Sequence, residues 1–288
     1  MAPLSVVGEL IDLLHDGDDS SVAAYIVETE DGPALFDCGP ASTLSALRGG
    51  LAAAGLEVGD LRHLLLSHIH LDHAGAAGAL AHENPSLLVH VSPIGAPHLV
   101  DPSRLEASAR RLYGDAFDEL WGSLTPVPED RIRLTEDVAA GLAVFPTPGH
   151  ASHHVSYLHE DGTLYAGDAA GVRIPPDRFV FAPSAPPEID VPLWERTIDE
   201  LERRDARRLA LIHFGMYDDP AEHLAGLRDV MLRWAGWVGE GIDLDDFVGR
   251  AEEDVRASGS SVERYQRAAT FSHTYAGLER YWRKRREG

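Results

Sequence analysis

Cysteine is almost absent from this chain of 288 residues, which has Cys38 as its single thiol. One cysteine forms no disulfide within the chain, and this usage is typical of a reducing compartment. Apolar runs of roughly 18 or more residues, which a membrane helix needs, are absent as well. The first ten residues contain no basic segment followed by a long apolar core, so we expect no signal peptide. Together these absences predict a cytoplasmic protein with no membrane partner.

Positive charge is also scarce, because 25 Lys and Arg residues stand against 47 Asp and Glu residues and leave a formal net charge of −22. Such a surface repels phosphate backbones and anionic lipids, which excludes nucleic acid as an expected partner and favours a small-molecule substrate. The basic segment 280–286 is interpreted as the solvated end of a helix, where positive side chains complement the helix dipole.

The order of apolar segments predicts a mixed α and β region followed by an all-helical one. Short apolar runs bounded by Gly, Pro or Asp predict strands at 22–27, 34–36, 63–66, 87–91, 142–145, 155–158, 164–166 and 209–212. Helical periodicity predicts helices at 43–54, 74–82, 192–204, 220–238, 244–257 and 262–285, and a helical insertion at about 101–121. The Asp219-Pro220 pair suits a helix start, since Asp can cap and Pro fits the first turn.

From this order we predict a catalytic domain at 1–215 and a C-terminal helical extension at 216–288 that packs on the core. The extension carries Trp234 and Trp237, and a homodimer through this face is the alternative to packing on the core.

Histidine is plentiful, with fifteen residues, and several of them follow predicted strands together with aspartates. Candidate metal ligands come directly after four strands: His68, His70, Asp72 and His73, then His150, then Asp168, then His213. If these strand ends share one edge of a sheet, seven donors converge there. Imidazole nitrogen and carboxylate oxygen suit zinc, and a single ion rarely takes seven protein ligands, so the pattern favours two divalent metal ions.

Five short motifs resemble those of the metallo-β-lactamase superfamily. They are HIHLDH at 68–73, TPGH at 147–150, GD at 167–168, HFG at 213–215 and the turn FDCGP at 36–40. The resemblance implies an α+β protein with an αββα sandwich. It further implies that His68, His70 and His150 hold a first metal, that Asp72, His73 and His213 hold a second, and that Asp168 bridges the two. The metals are expected to be zinc, with manganese or iron as alternatives.

The ligand set predicts a hydrolase in which a hydroxide between the metals attacks an ester, thioester or lactone carbonyl, with Asp72 as a catalytic proton donor. Enzymes like glyoxalase II and lactonases are the two hydrolytic subgroups considered. A mononuclear iron persulfide dioxygenase and a non-catalytic metal-binding scaffold are the alternatives. The persulfide dioxygenases of this superfamily keep only part of the ligand set, so the intact second set here favours hydrolysis.

Other polar residues are given supporting roles. Asp37 is expected to orient a ligand imidazole, as a turn aspartate commonly does in the family, and His154 is expected to support the site without ligating a metal. Arg173, Arg178 and Tyr217 are expected to contact substrate, from their closeness in sequence to predicted ligands. Cys38 is expected to be a buried small residue, away in sequence from the ligand-bearing motifs, and not a ligand.

Overall fold

A computed structural model describes residues 8–287, which form two compact units, the first ending at Phe145 and the second beginning at Pro146. Residues 1–7, and with them most of the segment in which no signal peptide is expected, lie outside the described residues. The boundary differs from the 1–215 and 216–288 domains that the sequence predicts, and it groups the C-terminal helices with residues 146–215. None of the helices between residues 8 and 287 has both the length and the apolar character needed to cross a bilayer.

The first unit contains a six-stranded sheet. Its strands, in sheet order, are β1 (Glu9–Asp12), β2 (Ala23–Thr29), β3 (Gly32–Phe36), β4 (His63–Leu65), β5 (Leu88–Val91) and β6 (Ile132–Leu134). β1, β2 and β3 are antiparallel, whereas β3 to β6 are parallel, so the sheet is mixed. An antiparallel hairpin follows, made of β7 (Val138–Ala139) and β8 (Leu142–Pro146), whose last residue begins the second unit.

Parallel strands need long crossover connections, and here helices supply them. The helices of the first unit are α1 (Leu44–Ala53), α2 (Leu71–Ala74), α3 (Ala77–Glu83), α4 (Ala96–Val100), α5 (Ser103–Tyr113) and α6 (Phe117–Trp121). The helix predicted at 74–82 is α3, which begins three residues later, while α2 precedes it and was not predicted. The predicted insertion is α5 and α6. Between α5 and α6, Gly114 has a φ of 55°, a left-handed conformation that glycine adopts without a steric penalty.

The second unit contains a mixed sheet with the order β12, β11, β10, β9. Its strands are β9 (Val155–Leu158), β10 (Thr163–Tyr165), β11 (Arg208–Leu211) and β12 (Gly215–Tyr217). β10 and β11 are parallel, and α7 (Val191–Arg203) connects them. α7 begins where the side chain of Asp190 accepts a hydrogen bond from the Leu193 amide at 3.1 Å, the usual role of an N-cap aspartate.

The C-terminal helices are α8 (Pro220–Gly239), α9 (Leu244–Ala257), α10 (Val262–Ala268) and α11 (Phe271–Glu287). The single helix predicted at 262–285 is wrong, because the chain is extended at Ala269 and separates α10 from α11. Phe271, one percent exposed, lies 5.3 Å from the ring of Phe181, so this packing overrides the helical periodicity. α8 begins at Pro220 as predicted, but Asp219 does not cap it through its side chain, which instead binds Arg173.

A buried histidine pair in the first sheet predicts a loss of stability in acid. Nδ1 of His63 lies 3.0 Å from Nε2 of His90, and burial, reinforced by the charges of His63 and Arg133, lowers the pKa of His90 to about 4. The folded protein therefore disfavours the protonated ring. As the pH falls below roughly 6.5, the unfolded chain takes up this proton first, and the free energy of unfolding decreases until about pH 4.

We expect the protonation of His90 alone to lower the free energy of unfolding by up to about 3 kcal/mol between pH 7 and pH 4. Denaturant unfolding of wild type and His90→Gln at both pH values measures it, and the variant should lose less stability on acidification. His82→Gln, at an exposed histidine, is the control and should behave as wild type. If all three proteins lost the same stability on acidification, His90 would not be the group responsible.

Candidate metal centre

The HIHLDH motif follows β4, the strand that pairs in parallel with β3 and β5 near the middle of the first sheet. The chain leaves β4 after Leu65, and α2 begins at Leu71, so the motif forms a tight turn at the carboxyl end of a buried strand. The ring centroid of His68 lies 4.5 Å from that of His70 and 4.0 Å from that of His73. His73 Nε2 and Asp72 Oδ2 are 4.0 Å apart. The first unit therefore brings all four predicted ligands of the motif together.

A buried carboxylate fixes one of these imidazoles. Asp37 is fully buried, and its Oδ2 atom lies 2.7 Å from Nδ1 of His73. Its two oxygens also accept hydrogen bonds from the amide and the hydroxyl of Ser67, both at 2.7 Å. Burial raises the pKa of Asp37, whereas His73 and the Ser67 hydrogen bonds act in the opposite direction. With Nδ1–H of His73 donating to this carboxylate, Nε2 is the atom that offers a lone pair to a metal.

The sequence pattern does not distinguish Ser67 as a functional residue, although its hydroxyl lies at the centre of this network. Besides Asp37, it lies 3.0 Å from Nδ1 of His68 and 3.2 Å from Nδ1 of His73. The only signal in the sequence is its place directly before the motif, which does not distinguish a hydrogen-bonding serine from a spacer.

Cys38 is buried as predicted, but in space it is not away from the motif. Its amide donates to the carbonyl oxygen of His73 at 2.8 Å, and its Sγ lies 3.3 Å from the same oxygen. Burial raises the pKa of the thiol well above its usual value, as does the charge of Asp37. A thiol in this state is a poor metal ligand and a poor nucleophile, so its contacts are structural.

Replacing Asp37 by Asn should weaken metal binding and activity together, because Asn keeps the volume but no longer holds His73 in the required tautomer. We expect a loss of about 10- to 100-fold in metal affinity or turnover. Titration of metal into metal-free protein measures the affinity. Asp130→Asn, at a side chain that is 72% exposed, is the matched control and should leave it unchanged. Wild-type affinity in Asp37→Asn would contradict the role given to Asp37.

In the second unit, the predicted ligands come from three separate turns. His150 Nε2 lies 3.4 Å from Oδ2 of Asp168, and His213 Nε2 lies 3.7 Å from Oδ1 of the same carboxylate. Asp168 is in the short turn after β10, and His213 follows β11, which is parallel to β10. Neighbouring parallel strands end at one edge, which is why residues 45 positions apart meet here. All three residues are buried, with whole-residue exposures of 2 to 4%.

The orientation of His150 is set by its turn. Nδ1 lies 2.7 Å from the carbonyl oxygen of Pro183 and donates to it, so Nε2 is again the nitrogen with a lone pair for a metal. Gly149 precedes it with a φ of 131°, and a Cβ there would lie 2.3 Å from the Cα of Trp194. The glycine of the TPGH motif is therefore required by close packing against α7, whose Thr197 also donates to the carbonyl oxygen of Pro148.

His154 is held by hydrogen bonds through both ring nitrogens. Nδ1 lies 2.8 Å from the hydroxyl of Thr147, and Nε2 accepts a hydrogen bond from the amide of Ala169 at 3.4 Å. It thereby connects the TPGH turn with the turn that carries Asp168. Its supporting role remains a prediction, and this bonding is compatible with it.

Of the three predicted substrate contacts, Arg173 and Tyr217 contact each other, and Arg178 pairs with a neighbouring carboxylate. Arg173, 7% exposed, binds Asp219 at 2.8 Å and lies over the ring of Tyr217 at 4.2 Å. The hydroxyl of Tyr217 lies 2.5 Å from the Arg173 carbonyl oxygen and 2.6 Å from that of Phe214. Arg178 is 69% exposed, with Glu222 at 3.3 Å. A substrate role for these side chains remains a prediction.

Both ligand sets have the chemistry that a divalent transition metal requires. In the first unit, His68 and His70 offer atoms within 4.8 Å of each other, as do Asp72 and His73. In the second unit, His150 and Asp168 do the same. The donors are imidazole nitrogens and carboxylate oxygens, in turns fixed by hydrogen bonds to carboxylate and carbonyl groups, which is the arrangement that supports metal-ligating histidines.

Comparisons with known proteins agree with this chemistry. A family model described as the metallo-beta-lactamase superfamily matches residues 17–215. An N-acyl homoserine lactonase from Bacillus sp is 28% identical over 179 residues, which cover 53% of this chain and 61% of that protein. The chain spans about three fifths of the length of the curated relatives it matches.

Solved structures share the fold. A metallo-beta-lactamase family protein from Thermus thermophilus has 24% identity and a TM-score of 0.64, over 92% of this chain and 89% of that one. The structure of TTHA1623 in a di-iron-bound form has 25% identity and a TM-score of 0.54, over 71% and 91% of the two chains. These matches confirm the predicted α+β class, with two mixed sheets, helices and a C-terminal helical region.

Proposed function

Because the chain belongs to the metallo-β-lactamase superfamily, we propose that it is a metal-dependent hydrolase of an ester, thioester or lactone bond in a small molecule. The observation that carries the proposal is the burial of His68, His73, His150, Asp168 and His213, all 4% exposed or less, in the family's ligand motifs. Burying so many ionisable groups is unfavourable unless they are paired or bind a metal.

We assign His68, His70 and His150 to one divalent ion, Asp72, His73 and His213 to a second, and Asp168 to both. The assignment is supported by the order of ligand motifs in the family and by the donor chemistry of each set. Zinc suits these donors best, and manganese and iron are the alternatives. Iron is included because a structurally similar protein was solved in a di-iron-bound form.

Divalent ions bound to these residues supply a Lewis acid for the carbonyl oxygen and lower the pKa of water toward neutrality. The chain itself has to orient the ligands and handle a proton. Asp37 and the Pro183 carbonyl oxygen hold His73 and His150 with Nδ1 protonated. The side chain of Asp72 is the more accessible of the two acidic ligands, 23% exposed against 6% for Asp168. We assign its carboxylate the role of accepting the proton that the attacking water gives up and passing it to the leaving group.

A small neutral or weakly charged substrate fits the net charge of −22 better than a nucleic acid or a membrane surface. Relatives named as N-acyl homoserine lactonases favour a lactone as the substrate. A thioester or a simple ester is the alternative. A cytoplasmic location and a homodimer through the C-terminal helices belong to the same proposal and rest on the sequence pattern.

A hydrolase panel on metal-replete protein tests the proposed function. We expect turnover of lactones, thioesters or carboxylic esters, its loss after chelation, and its recovery when zinc or manganese is added. Phosphodiesters, included in the same panel, are expected to stay intact. Full activity in a metal-free sample, or no hydrolysis of any carbonyl substrate by metal-replete protein, would contradict the proposal.

A further inference from the structure

The helical insertion of the first unit packs directly on the HIHLDH motif. Leu71, between the predicted ligands His70 and Asp72, forms a buried cluster with Phe117 and Trp121 of α6. The two helices of the insertion therefore lie beside the ligands and not at a distant edge of the unit.

The insertion is held in this position by close backbone contacts. The hydroxyl of Ser42 donates to the carbonyl oxygen of Leu120 at 2.6 Å. A Cβ on Gly122 would lie 2.8 Å from the amide nitrogen of Ser42, and one on Gly78 would lie 1.7 Å from the carbonyl oxygen of Thr125. These contacts place α6 close to Ser42 and the segment after α6 close to Gly78.

An apolar surface remains partly open on α5. Leu105, Ala109 and Tyr113 are spaced four residues apart, so they share one face of the helix, and they pack against the Leu71 cluster. All three are only partly buried, and α5 has no fully buried residue. The ring of Tyr113 lies 4.9 Å from that of Trp121, and the ring of His15 stacks on Trp121 at 5.1 Å.

The indole nitrogen of Trp121 differs from those of three other tryptophans. Trp194, Trp234 and Trp282 donate to Ala169, Asp254 and Ala235 at 2.7 to 2.8 Å. The indole N–H of Trp121 is buried, in a side chain 6% exposed, and has no hydrogen-bond partner among residues 8–287. A buried donor without an acceptor is unfavourable, which points to an acceptor that arrives with a ligand.

We propose that α5 and α6 form the acyl-binding wall of the hydrolase. Leu105, Ala109 and Tyr113 contact an apolar acyl chain of the substrate, and the indole N–H of Trp121 donates to an oxygen of the same acyl group. The inference rests on the proposed function and specifies its substrate class: carbonyl compounds with a medium-length apolar acyl chain.

The chain-length dependence of hydrolysis tests this wall. With p-nitrophenyl acetate, butyrate and octanoate, we expect kcat/KM of wild type to rise by up to about fourfold for each buried methylene. Leu105→Ala should flatten this rise. Leu112→Ala, on the same helix at a side chain that is 40% exposed, should keep it. Trp121→Phe should lower kcat/KM by about tenfold, because a single hydrogen bond to the acyl oxygen of the substrate is lost.

Binding of octanoate, measured by calorimetry with and without metal, provides a readout that does not depend on turnover. Octanoate should bind wild type more tightly than acetate, and Leu105→Ala should remove most of the difference. If octanoate binds in this way but no ester is hydrolysed, the proposed function fails and the wall stands. If esters are hydrolysed without a chain-length preference and Leu105→Ala matches Leu112→Ala, the wall is overturned and the function stands.

Discussion

Asp168→Ala is expected to reduce hydrolysis by at least about 1,000-fold, which corresponds to several kcal/mol of lost transition-state stabilisation. Asp168 lies near both His150 and His213, at 3.4 and 3.7 Å, and is the residue that the proposal assigns to both metals. Its removal should therefore weaken the binding of both proposed ions. Steady-state kinetics and metal analysis of the purified variant measure the two losses.

Asp218→Ala is the matched control for this prediction, because it removes a carboxylate of the same unit that is 90% exposed. It should keep wild-type activity and metal content. If Asp168→Ala retained both, Asp168 would not be a ligand and the assignment of the site would have to be abandoned.

Gly78→Ala is expected to destabilise the protein by about 3 kcal/mol, the upper part of the usual range for overpacking. The added Cβ would lie 1.7 Å from the carbonyl oxygen of Thr125, a backbone atom that cannot rotate away. Urea unfolding measures the change. Because the contact fixes the segment after α6, substrates with long acyl chains should lose more activity in this variant than acetate esters do.

Gly49→Ala, in α1, provides the opposite result from the same substitution. A Cβ at this position meets no atom within 4 Å. Alanine loses less conformational entropy on folding than glycine, so this variant should be more stable by about 0.5 to 1 kcal/mol. If Gly78→Ala and Gly49→Ala were equally stable, the backbone of Gly78 and that of Thr125 would have to be farther apart in solution than the structure shows.

The strands that carry ligands could be predicted because they are short apolar runs followed by polar residues. β4, β10 and β11 are buried strands of this kind, and His68, Asp168 and His213 follow them closely. The strands not predicted are β1, β6, β7 and β12, which have two to four residues each and contain partly or fully exposed positions. Exposed short strands have no hydrophobic pattern to distinguish them from loops.

The contacts that surround the ligands could not be predicted from the sequence in the same way. The carboxylate of Asp37 and the hydroxyl of Ser67 are 30 residues apart and meet only because β3 and β4 are parallel neighbours. The contact of Trp121 with Leu71 joins residues 50 positions apart and depends on how the insertion folds back. Such contacts depend on the register of the strands and on tertiary packing, which local periodicity does not specify.

The metal content of the purified protein tests the central claim most directly. After dialysis against metal-free buffer at neutral pH, elemental analysis should find about two divalent ions per chain, zinc before manganese or iron, given the number and type of the donors. Asp168→Ala should contain fewer. Protein that binds no divalent ion under these conditions, even when zinc is supplied, would contradict the account, and a single iron per chain would favour oxygen chemistry over hydrolysis.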